Sequence, residues 1–229
     1  MHNRMKIILF LLLVCFCFEA NAQNKDTLFI KRTLVDTPYH FYHAIYIDSN
    51  YSKRPDNNLT KFRFSRYDKE EYVRGLKQLK PLTKKLIPNN LPREWILLYK
   101  YKGDYVTYLP SEWGNHYRFK ITGSTTIDYT MEGAEAGRIN KIIQVSKNEM
   151  IIYRYQKWGS KTITINIIDR EKGIAIFTFG PTEYRKTGYK LLMLNVKKAN
   201  LYPTIINYCA TDKMLELDFE EIDFTLLEK

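Results

Sequence analysis

Cysteine is nearly missing from this chain. Its 229 residues hold three. Two, Cys15 and Cys17, fall in an apolar run near the N-terminus, and Cys209 is the third. If that run belongs to a cleaved leader, the remaining chain has no internal disulfide, which excludes a small disulfide-stapled fold. Stability must then come from a hydrophobic core, and residues 23–229 are long enough to bury one in a single domain. Also missing are tandem repeats, low-complexity tracts and Ser/Gly linkers, so no domain boundary is visible. The apolar run, residues 7–18, is shorter than the ~20 residues a membrane-spanning helix needs. No G-x-S-x-G, H-E-x-x-H, Walker loop or G-x-G-x-x-G is present, which removes the common hydrolase, zincin and nucleotide-binding signatures.

The N-terminus has the three parts of a secretory leader: Arg4 and Lys6, then IILFLLLVCFCF, then EANA with Ala20 and Ala22 before Gln23. We expect a signal peptide over 1–22 of the kind that resembles bacterial Sec leaders, with a periplasmic or extracellular product. Lipidation at Cys15 or Cys17 is the alternative, but Val14 and Phe16 stand where a lipoprotein signal has a small residue. Charge is uneven. The whole chain is +11, yet residues 212–229 carry seven carboxylates against Lys213 and Lys229. A basic body can attract anionic lipid or glycan. The plainer alternative is an acidic last segment pairing with a basic neighbour.

The chain reads as strands. DTLFIKRTLV and YHFYHAIYID open it. DKEEYVRGLKQLK, residues 68–80, is the one helix, with Asp68 as N-cap, Glu71 three residues on, and Tyr72, Leu76 and Leu79 on one face. Residues 81–92, with three prolines, form a connector. From residue 94 the pattern is hairpins, turning at Lys102-Gly103, Gly123-Ser124, Ser146–Asn148 and Glu171–Gly173. Alternation assigns Tyr117, Phe119, Ile121, Ile127, Tyr129, Met131, Ile151, Tyr153, Tyr155, Ile163, Ile165 and Ile167 to one apolar face. His116, Arg118, Lys120, Thr126, Asp128, Thr130, Ile152, Arg154 and Gln156 take the opposite, wetter face. A long antiparallel sheet with one wet face closes or folds over to remove its edges. The expected fold is therefore mainly β, an up-and-down meander closing as a barrel, with a two-sheet sandwich as the alternative. We read residues 23–90 as N-terminal strands, helix and connector, and 91–229 as the meander.

Over residues 94–219 this architecture resembles the lipocalin-like, or calycin, barrels. The family's Gly-x-Trp is absent: Trp95 stands in REWILL with Arg93 at the Gly place. The resemblance implies a ligand-holding barrel and no particular ligand.

The side chains offer little catalytic chemistry. His40 and His43 lie three apart, on opposite faces of a strand; with His116 they make no zinc spacing, and neither metal nor cofactor is expected. Cys209 in IINYCA reads as a small buried hydrophobe. Glu132 and Glu135 in MEGAEAG are read as a mobile loop, and with His116 they are the candidates for an enzyme at the barrel mouth. Nucleic acid is not expected as a partner, because a stacking platform needs rings and cations on one exposed face. The expected site is a tyrosine-rich interior, Tyr99, Tyr101, Tyr117, Tyr129, Tyr153 and Tyr155, that either fills a core or holds a small amphiphilic or aromatic ligand. A cavity-free module using the basic surface on anionic lipid or glycan is the alternative.

Overall fold

The computed structural model describes residues 27–35, 41–55, 57–61, 64–80, 88, 91–111, 117–130, 132–209 and 216–228. The expected leader, His40, His116, Met131 and residues 81–87, 89 and 90 of the proline-rich connector lie outside the described residues. Eight strands close an antiparallel barrel: β3 (Glu94–Leu97), β6 (Arg118–Ile121), β7 (Thr125–Thr130), β8 (Gly133–Gln144), β9 (Glu149–Tyr155), β10 (Thr162–Asp169), β11 (Ile174–Phe179) and β12 (Tyr189–Asn195). Each pairs with the next in the chain, and β12 returns to β3. Closure leaves none of these strands as a free edge.

The meander is interrupted once. The hairpin β4 (Tyr99–Tyr101) and β5 (Asp104–Leu109) leaves the barrel between β3 and β6. It joins β1 (Thr27–Val35), β2 (Phe41–Asp48) and β13 (Thr204–Cys209) in a second sheet, ordered β1-β2-β13-β5-β4. This corrects the expectation of one continuous meander, and β13 and β5 run parallel. The hairpin turns where expected. Lys102 and Gly103 both have positive φ, 51° and 86°, the two-residue geometry that glycine makes easy and that matches strand twist.

The second sheet lies against the outer wall of the barrel. Ile96, Ile174, Ile176, Leu192 and Leu194 point outward from the barrel and pack with Tyr46 and Ile206 of the sheet. This is why β11 and β12 read as nearly continuous apolar runs: both of their faces are covered. The sheet's other face packs Ile45, Val106, Tyr108 and Ile205 under Leu217 and Phe219. The acidic last segment is thereby held on the basic hairpin. Glu220 pairs with Lys100 (3.4 Å) and accepts from Gly103 N (2.8 Å), and Glu228 pairs with Lys190 (2.5 Å).

The helix α1 spans Arg66–Leu79. Its N-cap is Ser65 and the reciprocal partner is Asp68, so the capping box lies one turn earlier than the Asp68/Glu71 pair read from the sequence. Ser65 is a good cap, and it leaves Asp68 in the first turn beside the positive end of the helix dipole. α1 lies on the outer face of β8, where only small residues allow close approach. A Cβ on Gly75 would stand 3.2 Å from that of Ala136. Ala134 and Ala136 of MEGAEAG are thus a helix seat within β8, not a loop, while Gly137 faces Thr126 and Arg154 inside the barrel.

Candidate functional site

The six tyrosines do not share a lining. Tyr99 and Tyr101 are on β4 in the second sheet, against Phe219 (ring centroids 4.3 and 6.4 Å). Tyr129 faces outward from β7, beneath Arg118 (4.9 Å to the ring) and beside Phe64. Tyr153 and Tyr155 face outward from β9 and are 39% and 49% exposed. Tyr117 alone points into the barrel, edge-on to Phe179 at 6.1 Å.

Two face assignments are therefore reversed. On β7, Thr126 and Asp128 face inward, opposite Ile121 and Phe119, while Ile127 and Tyr129 face out under Tyr72 of the helix. On β9, Ile152, Arg154 and Gln156 face inward and Ile151, Tyr153 and Tyr155 face out. The cause is one mutual contact. Arg154 is 3% exposed and its guanidinium pairs with the Asp128 carboxylate. Each makes the other tolerable inside a dry barrel, and hydropathy alone assigns both to solvent.

Most of the interior is filled. Trp95, Phe119, Phe177, Ile139, Ile152, Ile163, Ile165 and Met193 are fully buried in one cluster, with Phe177 edge-on to Trp95 (5.1 Å) and Phe119 (5.5 Å). The polar group sits at the end where β9 leads to β10 and β11 to β12. There Arg154 also donates to Thr126 Oγ1 (2.8 Å) and Ser160 O (2.9 Å). Tyr117 donates to Asp128 Oδ1 (2.7 Å), and burial raises its phenol well above the ordinary range. Glu135 is opposite Asp128 in register and accepts from Gln156 Nε2 (2.9 Å). Since Arg154 spends its nitrogens on protein acceptors, this network works as a plug that joins β7 and β9, and the residues just ahead of β6 and β10, across the barrel end.

Burial first, and the Asp128 charge second, raise the Glu135 carboxyl above its usual range. A raised acid binds its proton more readily folded than unfolded. The resulting stability is full below the ordinary carboxyl pKa of about 4.5 and is lost as pH rises through the raised value. Glu135→Gln should therefore raise the melting temperature at pH 7 and leave it unchanged near pH 3. Thermal melts against pH check this; an equal shift at both pH values would show that ionisation is not the cause.

The other candidates lie elsewhere. Glu132 is exposed at the β7–β8 turn. His43 is buried in the second sheet, where Nε2 donates to Asn207 Oδ1 (3.0 Å). Asn207 in turn donates to Tyr108 OH (3.0 Å) and Glu216 (3.2 Å), which ties the acidic segment to the sheet. Cys209 is half-buried on β13, in register opposite His43. Among the described residues no group of three or more His, Cys, Asp and Glu is arranged to hold a metal ion.

A concave site lies outside the barrel. Between barrel wall and second sheet is an open cleft of about 620 Å3. Ile168 and Ile174 form its barrel side, Tyr105, Leu201 and Tyr202 its opposite side, and Leu226 and Leu227 of the C-terminal segment its lip. Asp169 and Lys172 supply the charges, 3.8 Å apart. Tyr202 donates to Lys172 O (3.1 Å), and its phenol is pushed up to about 12, first by burial and then by Asp169. Leu201 and Leu226, at 54% and 63% exposure, leave apolar surface at the opening. No family model, curated protein or solved structure matches this chain.

Proposed function

We propose that this chain is an exported, non-enzymatic binding protein with a lipocalin-like barrel, and that it holds a small amphiphilic ligand in the outer cleft. The observation that carries this reading is the cleft itself. Its volume of about 620 Å3 suits a small molecule, and its walls are aliphatic and aromatic with one lysine and one aspartate. An aliphatic tail would lie along Ile168, Ile174 and Leu226, and a polar head would meet the Asp169–Lys172 pair. The barrel interior is a poorer host, because Trp95, Phe119 and Phe177 already occupy it. Export rests on the leader read in residues 1–22.

The test uses anilinonaphthalene sulfonate and a fatty acid as probes, with native mass spectrometry of the purified protein for any co-purified lipid. Leu226 is exposed, so Leu226→Ser should leave the melting temperature unchanged. It should weaken probe binding about tenfold by removing apolar contact from the lip. Equal binding by the variant and the parent would overturn the cleft assignment.

A further inference from the structure

The outer cleft is charged at one place. Among its described lining residues only Asp169 and Lys172 carry charge, and the others are aliphatic or aromatic. Two neighbouring charges are engaged elsewhere: Arg170 donates to Asn148 Oδ1 (3.0 Å), and Glu228 pairs with Lys190 (2.5 Å). The lining is therefore neutral in sum but dipolar. The pair stands where β10 turns toward β11. Asp169 Oδ1 accepts from the Lys172 N–H (2.8 Å), which fixes the turn, and Oδ2 lies 3.8 Å from Lys172 Nζ. The Lys172 side chain is 69% exposed, so the side-chain pair is loose, adds little stability and opens readily for a better partner.

The two charges have different neighbours. Asp169 stands on the aromatic side of the cleft, where it and Tyr105 both act on the Tyr202 phenol. A carboxylate beside phenol rings suits an ammonium group, which gains from the charge and from the ring faces together. Lys172, the more exposed member, suits a phosphate. A head of one sign gains little here. An anion at Lys172 also meets the Asp169 charge 3.8 Å away, and a cation at Asp169 meets Lys172, so attraction and repulsion nearly cancel. A neutral head gains no charge interaction. A head with both signs, laid antiparallel to the pair, gains two attractions and replaces the one it opens.

With the cleft as the ligand site, as proposed above, we infer that it selects amphiphiles with a zwitterionic phosphate–ammonium head and a single aliphatic chain. The chain follows Ile168, Ile174 and Leu226. The ammonium rests between Asp169 and the rings of Tyr105 and Tyr202, and the phosphate meets Lys172. A volume of about 620 Å3 suits one chain rather than two. Asp169 and Lys172 are then the residues that set head-group specificity.

The test compares four amphiphiles of equal chain length by isothermal titration of the folded protein, below the concentrations at which they form micelles. They are dodecylphosphocholine, dodecanoate, dodecyltrimethylammonium and dodecyl maltoside. The phosphocholine should bind the parent at least about fivefold more tightly than the other three. Asp169→Asn keeps an oxygen to accept from the Lys172 N–H and leaves Lys172 as the one charge, so dodecanoate should become the tightest. Lys172→Gln leaves Asp169 as the one charge, and dodecyltrimethylammonium should become the tightest. Neither variant should alter the affinity for the maltoside. The ranking on the parent needs no variant and decides by itself. Equal affinities, or tightest binding of a head with one charge or none, would overturn the zwitterion assignment. So would retention of the parent ranking by both charge variants. The cleft itself survives those results if Leu226→Ser weakens whatever binds. If none of the four binds, or Leu226→Ser weakens none, the cleft reading fails and the zwitterion assignment falls with it.

Discussion

Arg154→Met should cost the folded chain about 3–5 kcal/mol, because it leaves the Asp128 carboxylate buried without its cation. Asp128 would keep the Tyr117 hydroxyl as a donor and lose both guanidinium contacts. Ser160 O and Thr126 Oγ1 would each lose a donor as well. For a domain of this size the melting temperature should fall by roughly 10 °C. The cause can be separated from lost packing by removing the whole network. Arg154→Met, Asp128→Leu and Tyr117→Phe together leave no orphaned charge and should recover most of the loss. Denaturant titration of the single and triple variants decides it. A loss under about 1 kcal/mol for the single variant would mean that water already solvates Asp128 at the barrel end.

Phe177→Ala should be about as costly, about 3–5 kcal/mol, through a different mechanism. Phe177 is fully buried among Trp95, Phe119 and Phe179, so the deleted ring leaves an apolar void in the centre of the barrel. Its walls are strands in a closed hydrogen-bonded ring and cannot collapse far to fill it. An apolar void of that kind stays dry and accepts a small aromatic molecule. Benzene should therefore raise the melting temperature of Phe177→Ala and leave the parent unaffected. A cost below about 1 kcal/mol, or stabilisation of the parent by benzene, would show that the interior has spare room. The variant thus also bears on the proposal that a ligand is held in the outer cleft, which a filled barrel supports.

The outward-facing tyrosines of β9 and the plug inside the barrel are two consequences of one choice of face. In ITINII the two faces of β10 differ plainly, and Ile163, Ile165 and Ile167 face inward as the alternation says. In MIIYRYQ both faces carry apolar side chains, so period two gives no decision. Counting hydrophobic residues favours Tyr153 and Tyr155 as the buried set. Asp128 on β7, 26 positions earlier, reverses that outcome by giving Arg154 a partner. A detectable signal was present: an Asp and an Arg within strand-like alternation, on strands two apart in a meander, can face each other across a barrel end. The cleft had no such signal. Its walls come from β5, β10, β11, the segment after β12 and the C-terminal segment, which the chain brings together only when the second sheet docks.

The residues prescribe local structure on their own. Hairpin turns, strand periodicity and a single helix specified an antiparallel meander, because turn chemistry and side-chain alternation act between residues close in the chain. The capping box shows the limit even there, since Ser65 and Asp68 compete with Asp68 and Glu71 one turn later. Long-range packing is what takes the YKYKGDYVTY hairpin out of the barrel to form a second sheet with β1, β2 and β13. It also decided that β7 and β9 turn their aromatic faces outward. Both outcomes depend on which distant surface covers a strand. Burial of a face is a property of the partner that packs on it, and here those partners lie tens of residues away.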